Sequence, residues 1–371
     1  MITDETSGVW DVDDVYKKVN AQRWRPNGIG LFSWGYNLYG QLGLNNTTQF
    51  SSPVQIPGTT WSSISSGGSH SLATKTDGTL WSWGSGANGR LGQNTTTQFS
   101  SPVQIPGTSW SSMSAMSTFS LATKTDNTLW AWGSGGNGQL GQNNRTSFSS
   151  PVQIPGTSWS SISGSGHSLA TKTDNTLWAW GRNYAGQLGQ NNRTYASSPV
   201  QIPGTTWSSI SSGGSHSLAT KTDNTLWSWG YNGSGQLGQS NTIYRSSPVQ
   251  IPGTTWSSIS GGSLHLLATK TDNTLWAWGY NSSGQLGQST TTNVSSPVQI
   301  PGTSWGKISG SDYSLATKTD GTLWSWGSGA NGRLGQNNTT DRSSPVQIPG
   351  TSWSSISGGG NHSLALGGIY L

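Results

Sequence analysis

Residues 70–84 read His-Ser-Leu-Ala-Thr-Lys-Thr-Asp-Gly-Thr-Leu-Trp-Ser-Trp-Gly, and residues 89–92 complete the phrase with Gly-Arg-Leu-Gly. Its Ser/Ala-Trp-Gly tripeptide returns seven times, ending at Gly35, Gly84, Gly133, Gly181, Gly230, Gly279 and Gly327, always 48 or 49 residues apart. A period of about 40–50 residues marks a propeller or a solenoid. Each unit continues through a polar stretch into Ser-Ser-Pro-Val-Gln-Ile-Pro-Gly-Thr, then a Trp and, in most copies, Ser-Ser-Ile-Ser (residues 62–65 in one of them).

Within a unit the hydrophobic period is two, the period of a strand. Trp81 and Trp83 share one face of Leu80–Trp83, and Leu80 and Ser82 take the other. Residues 70–74, 53–56 and 61–65 read as three further short strands. Thr-Asp-Gly-Thr or Thr-Asp-Asn-Thr between two of them is a hairpin signal. Pro53 and Pro57 cannot donate to a ladder, which puts their strand at a blade edge. Four antiparallel strands repeated seven times predict an all-β, seven-bladed propeller. The first copy begins late, at Asn27, and the last stops after Leu366, so one blade is expected to combine strands from both ends of the chain and remove two open edges.

Composition agrees. Only 8% of the 371 residues are charged, so solubility rests on Ser, Thr, Asn and Gln; 53 glycines suit tight turns, and 22 tryptophans at fixed positions argue against disorder. No cysteine is present, which excludes disulfides and thiolate chemistry. No apolar run is long enough for a membrane helix. The acidic start, MITDETSGVWDVDD, lacks the basic and apolar regions of a secretory signal.

Units of the form HSLATKTDGTLWSWG-x4-GQLG resemble the repeats of the regulator of chromosome condensation (RCC1) family, over residues 27–371. The resemblance implies a propeller used mostly for binding, without fixing one ligand, because a fold hosts many functions. Exchange factors of this family act through a wedge inserted in one blade. No unit here exceeds 49 residues, so exchange activity is not expected.

Chemistry is sparse. His70, His167, His216, His265 and His362 share one slot, filled by Phe119 and Tyr313 in the other copies. Aromatic replacements and the lack of carboxylates at ligand spacing favour a structural role over a metal ring. Six Lys-Thr-Asp turns, from Lys75 and Asp77 to Lys318 and Asp320, read as solvated hairpin tips. No catalytic pair, phosphate loop or metal motif stands out, so the expectation is a non-enzymatic chain without cofactor or metal. The copies diverge between Trp-Gly and Ser-Ser-Pro, where Tyr36, Tyr39, Arg182, Tyr184, Tyr195, Tyr231, Tyr244, Arg245, Tyr280 and Arg342 fall. All seven arginines after residue 26 lie in these segments, which predicts a basic, aromatic rim suited to a glycan, a phosphate-bearing ligand or a protein.

Residues 1–26 stand outside the repeat. Val12, Val15, Tyr16 and Val19 form an apolar helical stripe that Asp11 can cap, and Pro26 ends it after Trp24. So short a helix needs a surface to dock on. The segment is similar to short leaders on structural and fibre-like proteins of tailed phages. That similarity implies a virion propeller, attached to other virion proteins through residues 1–26 and presenting its rim to a host-surface glycan or protein. The alternative is a cytoplasmic protein-binding module, a small-GTPase regulator or an enzyme inhibitor similar to the propeller-type β-lactamase inhibitory proteins. Nucleic acid ranks below both, since a net charge of +5 is modest for this length.

Overall fold

The computed structural model describes residues 28–350 and 352–368. The expected helix over Val12–Val19, with Trp24, lies outside them. Seven four-stranded antiparallel sheets form the chain. In one of them Trp61–Ser66 is the inner strand, followed outward by His70–Lys75, Leu80–Gly84 and, at the outer edge, Phe99–Ile105. The proline-bearing strand is therefore an edge strand, as its missing N–H requires. Neighbouring inner strands touch one another all the way round, closing the ring about an axial channel.

The closing blade is built from both ends of the chain. Trp353–Gly358 and His362–Gly368 pair onward with Ile29–Gly35 and Phe50–Ile56. Ile29 lies opposite Gly368 and Gly35 opposite His362, so the joint runs the full length of the strand.

The period-two pattern sorts side chains by face, but both faces of each blade are covered by neighbouring blades. Leu80, Ser82 and Trp83 are fully buried and Trp81 is half-buried. Between blades, the Trp83 indole donates to the Gln41 carbonyl at 2.9 Å, and Ser71 Oγ donates to the same oxygen at 2.9 Å. The pattern returns in Trp132 and Ser120 on Arg90, and in Trp229 and Ser217 on Gln187. Gly43 lies under the Trp83 ring with φ +71°; a Cβ there would sit 2.8 Å from the indole nitrogen, so only glycine allows the approach.

The histidine slot is a buried inter-blade post. His70 Nε2 meets Ser120 Oγ at 2.9 Å, His362 meets Ser71 at 2.8 Å, His167 meets Ser217 at 2.7 Å and His265 meets Ser314 at 2.9 Å. Tyr313 reproduces the contact with Ser363 at 2.6 Å. His216 breaks the series: its neighbour in the serine slot is Leu266, and neither of its ring nitrogens has a hydrogen-bond partner among the described residues.

The Lys-Thr-Asp tips do more than face water. Lys75 Nζ lies 5.0 Å from the centre of the Trp61 ring and 4.2 Å from that of Trp81, and five further blades repeat this. Asp77 accepts from Thr79 Oγ1 at 2.6 Å, and Thr79 Oγ1 accepts from the Trp81 indole at 2.9 Å. The turn thereby fixes the outer ring of the cation–π sandwich.

Candidate functional site

Strand direction gives the propeller two unlike faces. The Lys-Thr-Asp turns occupy one. The other carries the variable loops and the channel mouth, a depression of about 320 Å³ lined by Gly and Ser from all seven blades, with Met116. The loops are held rigidly at their bases. Asn37 Nδ2 donates to the Thr48 carbonyl at 2.9 Å while its Oδ1 accepts from the Leu42 amide at 2.9 Å. Asn183, Asn232 and Asn281 repeat both bonds. Residues flanking these asparagines are thus displayed from fixed backbone.

On this face the structure joins some of the expected residues. The Tyr231 and Tyr244 rings lie 4.7 Å apart, and the Arg193 guanidinium is 5.8 Å from the Tyr244 ring centre. Partial desolvation raises the Tyr244 phenol above its ordinary value, aided by a hydrogen bond with Tyr231 and by nearby Tyr184. Tyr184, 45% exposed, donates to Ser215 Oγ at 2.6 Å. Beside them Ile243 is 58% exposed. Sequence reading passed over Ile243, although the other six copies carry Thr in its slot, as at Thr194 and Thr292. A smaller group forms on the closing blade, where Tyr36 and Tyr39 are 6.3 Å apart next to exposed Leu38.

The other expected residues do not join this cluster. Tyr195 is half-buried at the end of its loop, and Arg182 lies against the Ser165-Gly166 turn. Tyr280 lines a separate cleft of about 210 Å³ with Asp312 and Arg333. Arg245 and Arg342 open the outer strands Arg245–Ile251 and Arg342–Ile348, and Arg342 Nε donates to Gln336 Oε1 at 3.1 Å.

The basic rim expected from seven arginines is therefore thinner than it reads. Arg90 is buried, donating to the Ala87 and Ser117 carbonyls. Arg333 is buried too, bonded to Gly360 O at 2.7 Å and paired with Asp312 at 3.3 Å. Of these seven only Arg145 and Arg193 are exposed. Arg145 and Arg193 share one slot and Arg90 and Arg333 another, each filled by an uncharged residue in the remaining copies, so sequence alone could not separate posts from displayed cations.

Comparison with known proteins matches this architecture. The model of the RCC1-like domain covers residues 149–365, and that of the regulator of chromosome condensation (RCC1) repeat covers residues 30–74, 77–123 and 126–171. No curated protein matches the chain in sequence. Similar solved structures include Prp20p from Saccharomyces cerevisiae, 22% identical with TM-score 0.85 over 99% of this chain and 97% of that one. The same yeast protein bound to Kap60 gives 23%, 0.83, 100% and 95%. Human WBSCR16 gives 19%, 0.84, 93% and 100%. With more than half its length inside one family model, the chain belongs to the RCC1-like domain family.

Proposed function

We propose that this propeller is a protein-binding module and that its partner docks on the variable-loop face, centred on Tyr184, Tyr231, Ile243 and Tyr244. The observation that carries the reading is an exposed aromatic and aliphatic cluster held on rigid loops, with Arg193 beside it. Aromatic and Arg anchors on preorganised backbone bind proteins at low entropic cost. Yeast Prp20 is described with Kap60, Gsp1p and histones, which supports a protein ligand by analogy. A virion role rests on residues 1–26 alone and ranks second.

The test is capture of partners from the source by wild type, by Ile243→Asp and by Lys124→Ala on the opposite face. A protein retained by Lys124→Ala and lost with Ile243→Asp supports the reading. A partner insensitive to Ile243→Asp, or a glycan bound in its place on an array, refutes it.

A further inference from the structure

The aromatic cluster of the variable-loop face is bordered by positive charge that no acid offsets. Arg193 is exposed, with its guanidinium 5.8 Å from the Tyr244 ring centre. Arg245 follows Tyr244 at the same blade boundary. A Cβ on Gly186, in the neighbouring loop that carries Tyr184, would sit 3.1 Å from the Arg245 carbonyl oxygen. The Arg245 Nε is buried without a hydrogen-bond partner among the described residues. Arg182 opens the Tyr184 loop, beside the Ser165-Gly166 turn. No carboxylate faces these arginines. Asp223 is the one acid between residues 175 and 271, and it lies in a turn on the opposite face, where it accepts from Thr225 Oγ1 at 2.7 Å. Among the described residues the one ion pair joins Arg333 to Asp312, at a different blade boundary.

We infer that this site takes an acidic polypeptide segment, with an aromatic or aliphatic side chain seated on Tyr184 and Ile243 and carboxylates held by Arg193 and, beside it, Arg245. The inference rests on the reading of the loop face as a protein-binding site and adds the chemistry of what binds there. A guanidinium matches a carboxylate in a two-pronged, charge-assisted bond. Opposite charge steers the encounter and fixes register, while the apolar anchor supplies most of the affinity. Nucleic acid suits the site less well. Phosphate recognition sums many cationic contacts along a track, whereas the nearest lysines in the chain, Lys221 and Lys270, belong to turns on the opposite face. Ile243, 58% exposed, offers nothing to a phosphate backbone.

The test is a random peptide library panned against the full chain, with the selected peptides synthesised and titrated by fluorescence anisotropy. Selected sequences should place Asp or Glu close to an aromatic or aliphatic residue. Arg193→Thr restores the residue held by five other copies, at Thr47, Thr96, Thr242, Thr291 and Thr339, so the fold is kept. It should weaken these peptides about tenfold, and panning against Arg193→Glu should select Lys or Arg in place of the acid. Raising the salt from about 50 to about 300 mM should weaken binding to wild type more than binding to Arg193→Thr. No selected peptide, neutral or basic sequences, or acidic ones that bind wild type and Arg193→Thr alike, overturn the inference. So does oligothymidine that binds more tightly than the peptides with the same dependence on Arg193. Ile243→Thr separates this failure from that of the site. Peptides weakened by Ile243→Thr and indifferent to Arg193→Thr remove the acidic requirement alone, and peptides indifferent to both remove the site as well.

Discussion

Lowering the pH from 7 to 5 should remove most of the stability of this propeller, and its histidines should be the cause. All five are fully enclosed. Burial lowers His167, His216 and His362 to about 3 and His265 to about 4, and holds His70 well below its ordinary range. The folded chain thus keeps five neutral imidazoles, whereas the unfolded chain protonates them below pH 6.5. Their contribution is complete above pH 6.5 and is lost as pH falls from there toward 3. At pH 5 an unfolded imidazole gains about 2 kcal/mol by protonation that folded His167, His216, His265 and His362 are denied, about 8 kcal/mol over the four and comparable with the whole stability of a typical domain, and His70 acts in the same direction. The turn aspartates are lowered by their Thr hydrogen bonds and lose that contribution only near and below pH 3.8, so they do not act in this window. Urea unfolding followed by circular dichroism at half-unit steps checks the slope. His167→Phe should make the slope shallower. Phe already fills the slot at Phe119, so the ring is accommodated, but the bond to Ser217 is lost. The variant should be about 1 kcal/mol less stable at pH 7 and more stable than wild type at pH 5. Flat stability between pH 7 and 5, or curves for the variant and wild type that never cross, would refute the reasoning.

Three further outcomes follow from the same packing. His216→Phe removes a ring whose nitrogens have no partner among the described residues, so by urea titration it should lack the neutral-pH loss of His167→Phe and stand at least about 1 kcal/mol above it. Trp229→Ala deletes a fully buried indole between blades together with its bond to Gln187 O, and calorimetry should show a loss of about 3–5 kcal/mol. Ile243→Thr restores the residue that the other six copies carry; it should leave thermal stability within about 0.5 kcal/mol while weakening capture of the partner.

The fold was legible because each blade states it independently. Trp83, Gly84 and the Thr-Asp-Gly turn recur at one spacing, and Pro53 marks its own strand as an edge. Closure was legible from where the first and last copies break off. The site was less so, for a physical reason. In so repetitive a chain, a residue's role depends on which neighbour its blade meets. Arg90 and Arg333 take a slot held elsewhere by Gln139 or Gln187, and both are swallowed by loop carbonyls. Arg193 shares its slot with Arg145, yet only Arg193 meets a tyrosine across the blade boundary. The turn lysines looked solvated because their partners, Trp61 and Trp81, come from two other strands of the sheet.

Repetition also limits where recognition can reside. A ligand that read the Lys-over-Trp sandwich would find six near-identical copies of it, and one that read the Gly and Ser channel mouth would meet nearly the same ring in any orientation. Neither can orient a single asymmetric partner. The aromatic and aliphatic positions of the variable loops that break the repeat while staying exposed are few: Leu38 and Tyr39 on the closing blade, then Tyr184 and Ile243 on two adjacent blades with exposed Arg193 beside them. Of these, the second group combines two loops across one blade boundary and stacks its Tyr231 and Tyr244 rings behind the exposed edge. The sandwich, present in six blades, with the histidine post and the Trp–carbonyl bonds makes the blades nearly interchangeable. That leaves the loops free to differ without cost to the ring, and specificity is confined to the few places where they do.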